Sequence, residues 1–236
     1  MINNLSGKLK LTDYQVQMIC SRRFGVGSDG LILIEPSTIA DFHINFYNPD
    51  ASKSFCGNGS RCAAHFAVSN GAPADIGTFT AIDGLHHYVY DKSEPGISLE
   101  TNGEIKAIDD LFFLNTGSPH LIQVVDDVAS VDIEVDGEKL RHHERCKPLG
   151  TNVNFVEWTD NGAIVRTFER GVESETLSCG TGVTAVGLLH RHLFGGCIPR
   201  QIQTKGGTLR VYFEKRTWLY GPAKVVYLGE LNLNDL

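Results

Sequence analysis

The chain has 236 residues, of which 42% are hydrophobic and 21% are charged, and its formal net charge is -7. These values are typical of a globular protein with one large domain or two small ones. The acidic balance and the lack of a basic cluster exclude a general nucleic-acid-binding role. The sequence contains neither a run of about 20 apolar residues nor a signal-peptide core, so we expect no membrane association and a cytoplasmic location.

The first half of the sequence predicts a short helix over residues 13–23, with Thr12 or Asp13 as its N-cap. Segments of alternating apolar residues then predict five strands. In chain order these strands lie at 31–34, 42–46, 77–82, 86–91 and 97–101. A second helix is predicted at about 57–70, directly after a Gly-rich segment.

The second half repeats this arrangement of strands around one Gly-rich helix. Helices are predicted around 136–143 and at about 180–193, and residues 170–176 are predicted to form a loop before the second of these. Strands are predicted at 111–115, 120–125, 153–158, 162–169, 201–204, 208–213, 217–220 and 224–228.

This succession of strands without regular βαβ alternation predicts an α+β fold. We expect two pseudo-symmetric domains, each a mostly antiparallel sheet around a central helix that follows a cysteine. The N-terminal domain is predicted at 1–110 with Cys56, and the C-terminal domain at 111–222 with Cys179. The tail at 223–236 is expected to return to the N-terminal domain.

The six cysteines are too sparse for a disulfide scaffold, so we expect reduced thiols. No Cys-x-x-Cys pair occurs and the histidines are not spaced as ligands, so we predict no metal site. Four of the cysteines are expected to be buried as small apolar residues. These are Cys20, Cys62, Cys146 and Cys197.

The other two cysteines each open a Gly-rich segment at the start of a predicted helix. The segments are Cys56-Gly57-Asn58-Gly59 and Cys179-Gly180-Thr181-Gly182. Unpaired N–H groups and the positive end of the helix dipole stabilise a thiolate at this position, and they can also bind a carboxylate. Two such thiols on opposite sides of one carbon atom can remove a proton from one face and return a proton to the other.

The ordered set of motifs resembles diaminopimelate epimerase across nearly the whole chain. The matching stretches are 22–30, 48–64, 117–120, 150–155, 169–185 and 221–223. The resemblance implies interconversion of LL- and meso-2,6-diaminopimelate in bacterial lysine and peptidoglycan synthesis. It also implies a small amino-acid substrate and no cofactor, neither pyridoxal phosphate nor a metal.

The same resemblance implies roles for individual residues. Cys56 and Cys179 would be the two catalytic thiols, and His120 and Glu169 would support catalysis. Glu169 and Arg170 would offer opposite charges to an ammonium and a carboxylate, whereas the residues alone equally allow an ordinary ion pair at a strand end. The implied substrate-binding residues are Asn48, Gly57, Asn58, Ser118, Asn152, Glu169, Arg170, Gly180 and Thr181.

The chain departs from the family pattern at three places. Its first residues, Met1 to Asn4, match those that normally follow a first strand, so we expect one strand and one asparagine ligand to be missing and activity to be weakened. Ser118 stands where the family has asparagine. The spacing from Asn48 to Cys56 is shorter than usual, and that from Glu169 to Cys179 is longer, both within loops.

Two other functions remain open from the sequence. A proline or hydroxyproline racemase also uses paired cysteines, but such enzymes tend to carry histidine where Asn58 stands and lack the Glu169-Arg170 pair. A non-catalytic binding module of the same fold is favoured only by the expected loss of a strand. A homodimer is a further option that the sequence leaves open.

Overall fold

The computed structural model describes residues 1–101, 104–160, 162–196 and 200–233. The chain divides into two compact units, one formed by Met1–Ile97 with the segment from Pro222 onward, the other by Ser98–Gly221. Each unit combines a sheet with helices, which confirms the predicted α+β class. In the described part of the chain, no helix has the length and apolar character needed to span a bilayer.

The first unit contains a mixed sheet whose strands follow one another in chain order. β1 pairs with β2 and β3 with β4 in parallel, and the other neighbours are antiparallel. The strands are β1 (Ile2–Asn3), β2 (Leu31–Glu35), β3 (Phe42–Tyr47), β4 (Ile76–Ala81), β5 (Gly84–Val89) and β6 (Gly96–Leu99), of which only Gly96 and Ile97 belong to this unit. β1 was not predicted, because two residues are too few to show a periodic pattern.

Two helices belong to this unit. α1 (Asp13–Cys20) starts at Thr12, whose hydroxyl accepts a hydrogen bond from the Gln15 N–H while its own N–H donates to the Gln15 side chain. The helix ends earlier than predicted, and the chain folds back so closely that a Cβ at Gly25 would lie 1.8 Å from the carbonyl oxygen of Met18. α2 (Gly57–Val68) starts at Cys56, as predicted, and packs on β2 and β3.

The sheet of the second unit has the order β15-β14-β13-β11-β10-β9-β8-β7, with β12 beside β11. Only β9 with β10 and β11 with β13 pair in parallel among its described strands. The strands are β7 (Ile105–Ile108), β8 (Leu111–Asn115), β9 (Pro119–Val124), β10 (Asn152–Thr159), β11 (Gly162–Glu169), β12 (Ser174–Thr176), β13 (Arg200–Thr204), β14 (Gly207–Phe213) and β15 (Thr217–Tyr220).

The second unit also contains α3 (Ile133–Arg141) and α4 (Gly180–Phe194). α4 starts at Cys179, as predicted, and packs on the strands β10, β11, β13 and β14. Its buried face is apolar, with Val183, Val186 and Leu189 fully enclosed. This packing fixes the start of the helix against the ends of the central strands.

Three further sequence predictions differ from the structure. The strand predicted at 224–228 is absent, and Val226 and Leu228 there are 86% and 84% exposed. An apolar alternation forms a strand only when a neighbour accepts its backbone hydrogen bonds, and no described strand pairs with this segment. The predicted loop 170–176 ends in β12, which pairs with β11. β7 was not predicted, and it pairs in antiparallel orientation with β8.

The described cysteines are all unbridged thiols, as the sequence predicted. Cys20 is buried as predicted, whereas Cys62 and Cys146 are only half-buried. Cys197 lies outside the described residues.

The capping box of α1 gives a test of local stability. Replacing Thr12 by Ala removes the acceptor for the Gln15 N–H and should lower the free energy of unfolding by about 1 kcal/mol. Urea denaturation measures this change. Lys10→Ala, at an exposed position just before the helix, is the control and should leave the midpoint unchanged; equal losses in both variants would contradict the capping role.

Candidate active site

The Cys179 thiol sits at the N-cap of α4, in an extended backbone conformation, and is 6% exposed. Its Sγ lies 3.4 Å from the hydroxyl oxygen of Thr181. The thiol also forms a hydrogen bond with the carboxylate of Glu169, at the end of β11. The Cys179 thiol is therefore in contact with one carboxylate and one hydroxyl group.

The Glu169 carboxylate is held in place by the hydroxyl of Thr176, which donates to Oε2 at 2.9 Å. Burial raises the pKa of Glu169, and the hydrogen bonds from Thr176 and Cys179 offset part of this rise. A carboxylate destabilised in this way takes up a proton more readily than an exposed one. Glu169 makes these bonds rather than an ion pair with Arg170.

His120 is fully buried in β9, below the start of α4. Its Nε2 lies 2.9 Å from both the Ser118 Oγ and the Thr181 Oγ1, and these two hydroxyls are 3.0 Å apart. Burial, together with the positive charge of Arg170, lowers the pKa of His120 to about 3. The imidazole is therefore neutral at physiological pH and acts as a hydrogen-bonding group rather than a cation.

The side chain of Asn152 joins several elements of this site. Its Nδ2 donates to the Ser118 Oγ at 3.2 Å and to the carbonyl oxygen of Pro119 at 2.9 Å, and its Oδ1 accepts from the backbone N–H of Arg170 at 2.9 Å. Asn152 is 4% exposed, so its amide is committed to fixing its neighbours. It orients the Ser118 hydroxyl and the turn that carries Arg170.

Arg170 presents a half-buried guanidinium beside this cluster. Among the described residues, no carboxylate or carbonyl accepts a hydrogen bond from it, although its charge acts on His120. A planar guanidinium with five donors is well suited to a ligand carboxylate.

The Cys56 thiol, in the first unit, is half-buried at the N-cap of α2. Its Sγ accepts a hydrogen bond from the backbone N–H of Gly59 at 3.3 Å. Asn58, in the first turn, accepts a bond from Arg61 Nη2 at 3.0 Å. Gly57 is buried beside them. The surroundings of Cys56 are thus backbone N–H groups and a cation.

Asn48, in the turn after β3, has its side chain in a local network. Its Nδ2 donates to the Ser52 Oγ at 3.0 Å, and its Oδ1 accepts from the Ser54 Oγ at 3.2 Å. The structure therefore holds this side chain in a fixed direction through the polar residues of its own turn.

The residues around Cys56 form one half-site, and those around Cys179 form a second half-site. Three residues of these half-sites were not identified from the sequence. Thr176 orients Glu169 from β12, Asn154 donates to Nδ1 of His120 at 3.1 Å, and Arg61 is 5% exposed with no partner for Nε and Nη1 among the described residues. Each of them lies in a stretch that matches the family pattern, 48–64, 150–155 or 169–185, but no local feature of the sequence singled it out. No metal-ligand group of three or more His, Cys, Asp or Glu occurs in the described ranges.

The buried imidazole predicts a pH-dependent stability. The unfolded chain protonates His120 below about pH 6.5 but the folded chain only near pH 3, so the free energy of unfolding should fall as the pH is lowered between these values. His120→Gln should flatten this decline by about 1 kcal/mol per pH unit. Urea unfolding at pH 4, 5, 6 and 7 measures both slopes, because the other histidines are common to both proteins; parallel slopes would contradict the assignment.

Comparisons with known proteins show similarity over most of the chain. The sequence model of the diaminopimelate epimerase family matches residues 1–81 and 112–231. A diaminopimelate epimerase of Flavobacterium psychrophilum is 40% identical, over 90% of this chain and 87% of the relative. That of Chlorobaculum tepidum is 38% identical, over 99% of this chain and 96% of the relative.

Solved structures with a similar fold have low sequence identity. A phenazine biosynthesis protein of the PhzF family from Bacillus anthracis has a TM-score of 0.72 at 14% identity and covers 93% of this chain and 88% of its own. A probable proline racemase from Agrobacterium radiobacter has a TM-score of 0.67 at 15% identity and covers 94% and 81%. These likenesses concern the fold alone. The sequence relatives decide the family: the chain belongs to the diaminopimelate epimerases.

Proposed function

We propose that this chain epimerises LL-2,6-diaminopimelate to the meso form by a two-base mechanism without a cofactor. The observation that carries the proposal is the environment of Cys179. The Glu169 carboxylate can accept the proton of the thiol, and the Thr181 hydroxyl can donate a hydrogen bond to the thiolate. The identity to relatives named diaminopimelate epimerase supports the substrate.

In the proposed reaction, one thiolate removes the α-hydrogen as a proton. The C–H bond breaks, an S–H bond forms, and the electron pair remains on the α-carbon, where the neighbouring carboxylate delocalises it. The opposite thiol then gives its proton to the other face of the carbon. Cys56 and Cys179 fill these roles and exchange them in the reverse reaction. The mechanism requires both thiols to reach opposite faces of the same carbon atom.

Before a turnover that starts at Cys179, its proton has to leave the thiol. Glu169 is the proposed acceptor, because its carboxylate already binds this thiol and burial raises its pKa. The Thr181 hydroxyl then stabilises the thiolate, and neutral His120 supports that hydroxyl.

We propose that the substrate carboxylate next to the reacting carbon is bound by the first N–H groups of α2 and α4. These belong to Gly57, Asn58, Gly180 and Thr181, where helix dipoles favour an anion. The distal, non-reacting end is assigned to the remaining polar side chains, with the Arg170 guanidinium facing its carboxylate. These side chains are Asn48, Ser118 and Arg170, and Asn152 orients the last two. Glu169, beside Cys179, is assigned to the reacting end.

The same proposal includes the cellular role and the organisation of the protein. The enzyme would act in the cytoplasm in lysine and peptidoglycan precursor synthesis, on a small amino acid and without a nucleic-acid partner. Domains at 1–110 and 111–222 would each supply one thiol, and the tail at 223–236 would complete the first. A homodimer is the proposed assembly to be checked by light scattering.

Proline or hydroxyproline racemisation is less well supported. The fold likeness to a probable proline racemase comes with 15% identity. A monocarboxylic substrate also leaves the Arg170 guanidinium without a function. A non-catalytic binding module would bind diaminopimelate in calorimetry but would not epimerise it.

Cysteine substitutions in deuterium oxide test the two-base proposal. The wild-type protein should place solvent deuterium at the α-carbon of the epimerised product, read by mass spectrometry. Cys56→Ser and Cys179→Ser should each lower kcat roughly 1,000-fold in both directions, because a hydroxyl is a far weaker base than a thiolate. Cys62→Ser, within the same helix as Cys56, and Cys146→Ser are the controls and should retain activity. Loss of activity in Cys62→Ser but not in Cys56→Ser would refute the assignment.

A second substitution tests the proton acceptor. Glu169→Gln keeps an acceptor for the Thr176 hydroxyl but cannot take up the Cys179 proton. We expect kcat to fall roughly 100-fold, as for loss of a general base. Glu175→Gln, on the adjacent strand β12, is the matched control; an unchanged kcat in Glu169→Gln would exclude Glu169 as the acceptor.

A further inference from the structure

The side chain of Asn154 makes three hydrogen bonds although it is fully buried and cannot touch a ligand. Its Nδ2 lies 3.1 Å from Nδ1 of His120 and 3.3 Å from the carbonyl oxygen of Leu121. Its Oδ1 lies 3.0 Å from the hydroxyl oxygen of Thr167. These contacts link the neighbouring strands β9, β10 and β11 directly beneath the Cys179 half-site.

The orientation of the Asn154 amide follows from chemistry. The Leu121 carbonyl can only accept a hydrogen bond, so the amide NH₂ group has to face it. The same NH₂ group then faces Nδ1 of His120, and the Thr167 hydroxyl donates to the amide oxygen. Nδ1 of His120 therefore accepts a hydrogen bond and carries no proton.

A neutral imidazole without a proton on Nδ1 carries it on Nε2. The opposite tautomer would place two buried donors, Nδ1–H and the Asn154 NH₂, against each other, and that arrangement is unfavourable. In the observed arrangement, Nε2–H points to the hydroxyls of Ser118 and Thr181, each 2.9 Å away.

The direction of the remaining hydrogen bonds then depends on this proton. With Nε2–H as a donor, neither hydroxyl proton is needed by the imidazole. Ser118 can donate to Thr181, and Thr181 can donate to Sγ of Cys179 at 3.4 Å. With an unprotonated Nε2, one of the hydroxyls would have to donate to the ring instead.

We propose that Asn154 is a positioning residue that holds His120 as its Nε2–H tautomer and thereby directs the Thr181 hydroxyl toward the Cys179 thiolate. This inference rests on the proposed function for its catalytic consequence, whereas the tautomer itself does not depend on any substrate. Gly182 belongs to the same arrangement, because a Cβ there would lie 2.5 Å from the Asn154 Oδ1 and 3.3 Å from the His120 ring. The absence of a side chain at Gly182 lets the first turn of α4 rest on this pair.

The ¹⁵N NMR spectrum of protein labelled at its nine histidines tests the tautomer. His120 is assigned by the signals missing in His120→Gln. In the wild-type protein, Nε2 should show the protonated-type shift and Nδ1 the unprotonated type at neutral pH. Asn154→Asp replaces the donor by an acceptor, so Nδ1 should become protonated. A wild-type spectrum with a protonated Nδ1 would overturn the inference, whether or not Asn154→Asp folds.

Two measurements on Asn154→Asp test the consequence for Cys179. The kcat should fall roughly 10- to 100-fold with little change in KM, since Asn154 touches no substrate. Alkylation of Cys179 by iodoacetamide, followed by peptide mass mapping, should slow roughly 10-fold. Val156→Ala is the matched control, because it is also fully buried on the same face of β10 but makes no hydrogen bond to the cluster. It should lower stability and leave the histidine shifts and the Cys179 alkylation rate unchanged.

The outcomes separate this inference from the proposed function. A wild-type protein that does not epimerise diaminopimelate contradicts the function, while the ¹⁵N shifts and the alkylation rate still decide the role of Asn154. An Asn154→Asp protein with a protonated Nδ1 but unchanged Cys179 alkylation and kcat would refute the coupling to the thiol. If Val156→Ala changed the histidine shifts and the Cys179 alkylation rate as much as Asn154→Asp does, Asn154 would have only a structural role.

Discussion

The contact between Thr181 and His120 is the constraint on which the second half-site depends. It joins the first turn of α4 to the buried strand β9 at 2.9 Å. Through it, the packing of α4 on the sheet fixes the position of the Cys179 thiol, because cysteine and threonine belong to the same helix start. Asn152 and Asn154 then connect the cluster to β10, so that the three central strands and one helix share a single hydrogen-bonded network. A fully satisfied buried network of this kind is rigid, and rigidity is what proton transfer to a weakly acidic carbon requires.

Burial changes the chemistry of the titratable groups in this network. It lowers the pKa of His120 and raises that of Glu169, so both groups favour their uncharged forms. An uncharged imidazole can support a hydroxyl without competing for the proton of the thiol. A carboxylate with a raised pKa exchanges a proton with a thiol more easily than an exposed carboxylate does.

The two cysteines have different surroundings although their local sequences are alike. Cys179 is buried beside the Glu169 carboxylate of β11 and the Thr181 hydroxyl of its own helix, whereas Cys56 contacts the N–H of Gly59 and lies near the buried cation of Arg61. Burial lowers the pKa of Arg61, and the nearby thiols of Cys62 and Cys56 act in the opposite direction. The repeated Cys-Gly-x-Gly motif therefore determines where the helix starts in both units. The groups that stabilise the thiolate come from neighbouring residues and differ between the two units.

The sequence by itself determined the fold class, the two cysteines at helix starts and the family, because Cys-Gly-x-Gly segments and apolar periodicity are local signals. The helices at Cys56 and Cys179 begin where the sequence predicted. Only the tertiary structure decided which polar residues meet, since Thr176, Asn154 and His120 come from different strands and their contacts follow from strand register. It also decided that the apolar segment 224–228 is not a strand, because a strand needs a neighbour and no local pattern supplies one. The sequence determines which chemical groups are present and which helix they start, whereas their hydrogen-bond partners are determined only when the strands pair.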